Sequence, residues 1–94
     1  MHSAVEDLLG SMKNLCQAII WSACFMELSA DDIVNPDSAV KALEDIASVL
    51  QAATAEEKQA FRRECCEEAL RLEKNPTYAK TAEFVRGLPE YVGI

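Results

Sequence analysis

The chain has 94 residues, half of them hydrophobic and only 6% aromatic, with a net charge of −7. That length suits one domain with one modest core, and an acid excess of this size argues against nucleic acid, where Lys and Arg carry the phosphate contacts, and against an anionic membrane surface. Three glycines and three prolines are few turn residues, so composition disfavours a β-sandwich and predicts long helices joined by short loops.

The first helix is expected over 3–28, from Ser3 to Leu28. Ser3 and Glu6 have the spacing of a capping box, which satisfies unpaired amide donors at a helix start. Val5, Leu8, Leu9, Met12, Leu15, Cys16, Ile19, Ile20, Ala23 and Met26 recur at three- and four-residue intervals and share a broad face. Gly10 inside this run costs about 1 kcal/mol relative to Ala, so it marks a close approach or a slight bend. From Leu15 to Met26 the only strongly polar residue is Gln17, while Trp21 and Phe25 project nearly opposite the main face. A helix packed on one core is apolar on one stripe, so this surplus needs a second surface. The segment is too short to cross a bilayer. Two readings stand: Trp21 and Phe25 pack under the last helix and the C-terminal tail, or they form an exposed aromatic anchor for a partner or a second copy.

The first connection, 29–35, holds a Ser29–Asp32 capping pair and room for one short turn through Ile33. From Glu27 to Asp37 there are four acids (Glu27, Asp31, Asp32 and Asp37) and no base. Residues 1–50 carry a net −6 and residues 51–94 only −1. Asp31, Asp32 and Asp37 therefore read either as ordinary solvated surface or as a patch that steers a basic partner.

Asn35-Pro36 opens the second helix, with Asn as cap and Pro where its missing amide is no loss. It is expected to reach about Ala52 and to bury Val40, Leu43, Ile46, Ala47 and Leu50. Thr54-Ala55-Glu56-Glu57 is the best local signal in the chain, a capping box that starts the third helix. That helix is expected to run to about Lys74 and to bury Phe61, Cys65, Ala69 and Leu72. Its acids are assigned to the outer face, in pairs Arg63–Glu67 and Glu67–Arg71. Asn75-Pro76 repeats the cap-and-proline device for a fourth helix ending near Arg86, with Tyr78, Phe84, Val85 and Leu88 inward and Gly87 as its stop. Beyond Pro89 the chain is apolar and is expected to pack back as a non-helical tail. The fold expected is thus all-α: a four-helix antiparallel bundle, one domain over 1–94, with the apolar C-terminal tail packed on it.

Chemical signals are sparse. His2 is the only histidine, and Cys16, Cys24, Cys65 and Cys66 lack the CxxC spacing of a zinc site. They do not form a secreted disulfide framework either, which favours a reducing, cytoplasmic setting. Met12-Lys13-Asn14 imitates the start of a secretory signal, but an acidic extension precedes it. Cys66, at the expected edge of the core, is the candidate reactive thiol. No nucleophilic triad, Glu-x-x-His metal pair or glycine-rich phosphate loop is present. No cofactor, metal or catalytic activity is therefore expected. The function expected is protein binding, most concretely by an inhibitor or immunity-type protein that masks a basic partner. The alternative is a homo-oligomeric structural or adaptor bundle, buried against its own copy as a homodimer.

Overall fold

The computed structural model describes residues 12–94. They form four α-helices, α1 (Lys13–Leu28), α2 (Pro36–Gln51), α3 (Ala55–Glu73) and α4 (Ala79–Tyr91), with a 3-10 turn (Pro76–Tyr78) leading into α4. The molecule is an all-α bundle. α1 touches each of the other three helices, and α3 and α4 make the most extensive helix pair.

Helix starts follow the local signals. Asn35 accepts the Ser38 amide through its side chain, and Pro36 occupies the first turn of α2. Thr54 Oγ1 accepts from the Glu57 amide at 3.1 Å while Glu57 accepts the Thr54 amide at 2.8 Å, a complete capping box. Asn75 caps the 3-10 turn through the Thr77 amide. The first helix departs from expectation, because α1 begins at Lys13 with Met12 as an uncapped N-cap residue. The continuous helix expected from Ser3 does not run through Met12, and Gly10, a poor helix former, lies just upstream. The Ser3–Glu6 capping pair, Val5, Leu8 and Leu9 fall outside the described residues. Ser29 is the extended residue that ends α1, and the short turn expected through Ile33 forms over 31–33, closed by Ile33 and Val34 amides on the Ala30 carbonyl.

The core gathers Cys16, Ile20, Ala23 and Cys24 of α1 with Leu43 and Leu50 of α2, Ala60, Phe61, Cys65 and Ala69 of α3, and Val85, Leu88 and Val92 at the C-terminal end. Of the other expected core residues, Ile46, Ala47, Leu72 and Phe84 pack against it partly buried, while three turn outward. Leu15 is 68% exposed and Val40 half-exposed, since Cys16 and Ala39 occupy the inward phase. One position is about 100° of helix rotation, enough to turn a side chain from core to solvent. Tyr78 is also exposed, because residues 76–78 wind as a 3-10 turn and the inward phase of α4 begins after it.

The C-terminal segment is helix, not a tail. α4 continues through Pro89, which lacks the amide that would bond to the Val85 carbonyl. Leu88 and Val92 flank it fully buried, and each contributes on the order of 1.5–3 kcal/mol by leaving water. Together they outweigh one lost hydrogen bond. Gly87 is not the stop: it sits inside α4 in open space. The stop is Gly93, at φ 82°, where Gly93 and Ile94 amides turn back to the Glu90 and Pro89 carbonyls. This paired closure requires a left-handed residue, which glycine adopts without Cβ strain. Gln51 Nε2 donates to the Val92 carbonyl at 2.9 Å and fastens this end to α2.

Candidate functional site

α1 carries Cys16, Ile20, Ala23 and Cys24 inward at intervals of four, three and one, a stripe of which only Ile20 is large. Ile19 and Met26 pack partly buried beside this stripe, while the two aromatic residues face out. Trp21 is 42% and Phe25 57% exposed, with Leu15 and Leu28 also in solvent. From Asn14 to Met26 the helix bears no charged residue, so this outer face is both apolar and neutral. Of the two readings of Trp21 and Phe25, packing beneath α4 is not what forms.

Trp21 is nevertheless held. Its indole Nε1 donates to Gln17 Oε1 at 2.9 Å. Gln17 then reaches α3, where its Nε2 donates to Glu64 Oε1 at 2.6 Å and to Glu68 Oε2 at 2.5 Å. Arg71 completes the cluster: Nη2 donates to the same two oxygens at 2.6 Å, and Nε to Glu68 at 3.1 Å. Glu64 and Glu68 are only 4% and 8% exposed. The expectation that the acids of this helix lie on its outer face fails at these two positions, and Arg71 pairs with them rather than with Glu67. Arg63 and Glu67 do meet on the surface, at 3.3 Å.

Two buried carboxylates one helical turn apart repel each other and lose hydration, so they need donors. Burial pushes the Glu68 carboxyl up, but hydrogen bonds from Gln17 and Arg71, aided by the charges of Arg71 and Lys13, prevail and hold it below the usual carboxylate range. The Arg71 guanidinium is raised in return, through its bonds to Glu68 and Glu64. No buried side-chain nitrogen or oxygen is left unpaired among the described residues. The signal for this cluster was in the sequence. Phe61, Glu64, Cys65, Glu68, Ala69 and Leu72 follow the three–four spacing of one helix face, and Gln17 is the lone polar residue of an apolar run.

The acidic positions lie elsewhere. Asp31 and Asp32 are exposed in the turn after α1, and Asp37 is exposed in the first turn of α2. Asp31 lines a shallow hollow with Met26, Ser29, Val34 and Pro36. No ion pair engages the three aspartates among the described residues. Among the described residues no hydrogen bond joins them to the aromatic pair.

Cys66 is exposed, and the other three thiols are buried. Burial first, then nearby negative charge, pushes Cys65 up to about 12 and Cys24 up to about 11, and raises Cys16 as well. Thiols so disfavoured as thiolates are inert at neutral pH. Among the described residues, no group of three or more ligating side chains comes together in a metal-binding arrangement, and no helix is long and apolar enough to cross a membrane.

No family model, curated protein or solved structure matches this chain.

Proposed function

We propose that this protein acts by binding another protein through the outer face of α1, as an inhibitor or immunity-type module that covers a basic surface. The observation that carries the reading is the exposure of Trp21 and Phe25 on a helix whose inner face is already packed. Aromatic side chains dominate binding energy at protein interfaces, and leaving two of them in water on one helix is unfavourable for a protein that binds nothing. The acids at Asp31, Asp32 and Asp37, beyond the C-terminal end of this face, supply long-range attraction to a basic partner. Three buried free thiols suit a reducing compartment, so the reading sets the protein in the cytoplasm. It assigns no catalytic step and no cofactor.

A second reading has its own observation. The face from Asn14 to Met26 is uncharged on a chain of net −7. A neutral apolar face is where two copies of such a chain can meet with least repulsion, giving a homodimer across α1.

Both readings are tested by retaining the tagged chain in lysate of its own source cells, eluting with a salt gradient and comparing wild type with Trp21→Ser/Phe25→Ser. A stoichiometric basic protein, released by salt and lost in the double variant, is the expected result. Recovery of the chain alone, with a dimer mass by light scattering, would transfer the interface to the second reading. A monomer that retains nothing would overturn both.

A further inference from the structure

We propose that the Gln17–Glu64–Glu68–Arg71 cluster is an acid-sensitive latch that sets how Trp21 is presented on the outer face of α1. The proposal rests on the reading of that face as a binding surface. Its geometry is continuous: Trp21 is bonded to Gln17, Gln17 to both carboxylates of α3, and both carboxylates to Arg71. Both polar ends of the Gln17 side chain are engaged in this chain. Its amide oxygen faces Trp21 and its amide nitrogen faces the two glutamates, so the indole is oriented only while both carboxylates accept.

Protonation changes that. A proton from solvent on Glu68 turns its carboxylate, which only accepts, into an acid that also donates. It removes one of the two charges that hold Arg71 and places an O–H donor where the Gln17 amide N–H met only acceptor oxygens. The amide is then free to rotate, and the indole N–H of Trp21 loses its fixed partner. The groups facing this site from α1 are Lys13, Cys16 and Cys24, and from α3 Arg71 and Cys65. Among the described residues, no charged group of α2 or α4 acts on Glu68. Because the folded protein holds Glu68 below its ordinary range, the bonds are complete at neutral pH and are lost as pH falls through the folded value. The latch therefore opens on the acid side of about 4.3, the unperturbed glutamate value.

Trp21 is the only tryptophan, so its emission and its indole proton resonance report the latch alone. The experiment follows both from pH 7 to pH 3, with far-UV circular dichroism on the same samples, for wild type and for Glu64→Gln/Glu68→Gln. The expected result is a shift of the Trp21 signals in acid while helicity holds, and no such step in the double variant. Two results would overturn the latch: Trp21 and helicity changing in one coincident transition in wild type, or a Trp21 step that persists unchanged in the double variant. Should the double variant fail to fold, the wild-type comparison decides by itself. No partner takes part in the measurement, so failure of the latch is separate from failure of the binding reading.

Discussion

On its inner side α1 buries Cys16, Ile20, Ala23 and Cys24; on its outer side it leaves Leu15, Trp21 and Phe25 in solvent. Ile19 and Met26 add partly buried bulk to the inner side, yet both aromatic side chains of α1 lie outward. A helix that serves only its own core places its largest side chains inward, where they remove the most apolar area from water. The inner face is thus explained by folding. The outer face is the one the proposed association would cover.

The comparison breaks most readily at Ile20, which is fully buried. Ile20→Ala is expected to cost on the order of 2–5 kcal/mol in denaturant unfolding, through lost transfer energy and the cavity left behind. Phe25→Ala, on the same helix, is expected to stay within about 0.5 kcal/mol of wild type, as surface substitutions do. Equal losses at the two positions would mean that the faces are not different in kind.

Gln17 lies between the faces and sharpens the contrast. Gln17→Leu keeps the bulk but removes the amide shared by Glu64, Glu68 and Trp21. Leaving two buried carboxylates short of a donor is expected to cost about 1–3 kcal/mol at pH 7. The loss should shrink in acid, where Glu68 is protonated and less dependent on donors. A loss independent of pH would mean that Gln17 contributes only packing.

These features were not equally legible in the sequence. The caps at Asn35, Thr54 and Asn75 were, because a cap is a local device set by three or four neighbouring residues. The surplus apolar face of α1 was also visible, although periodicity alone did not decide whether Trp21 and Phe25 lay beneath α4. The buried pair Glu64 and Glu68 was hidden by their charge. Charged residues are almost never fully buried unless paired, and the partners came from Gln17, 47 and 51 positions away, and from Arg71. The end of α4 was misjudged for a related reason. Pro89 and Gly87 are local breakers, but burial of Leu88 and Val92 is tertiary and overrides them. Helix phase at Leu15 and Val40 turned on single-residue rotations that several similar apolar residues left ambiguous.

An effect smaller than those at Ile20 and Gln17 is expected on α4. Gly87 sits in the helix with nothing within 4 Å of a built Cβ. Gly87→Ala is therefore expected to stabilise the fold by up to about 1 kcal/mol, seen as a raised melting temperature. A lowered melting temperature would mean that the helix needs glycine there.

The most direct test of the association surface is site-specific photo-crosslinking in the protein's own cells. A photoreactive phenylalanine analogue at position 25 is compared with the same group at position 62, on the exposed face of α3. The account predicts a discrete protein adduct from position 25 and none from position 62. An adduct from position 62 with none from position 25 would contradict the assignment of the outer face of α1 as the binding surface.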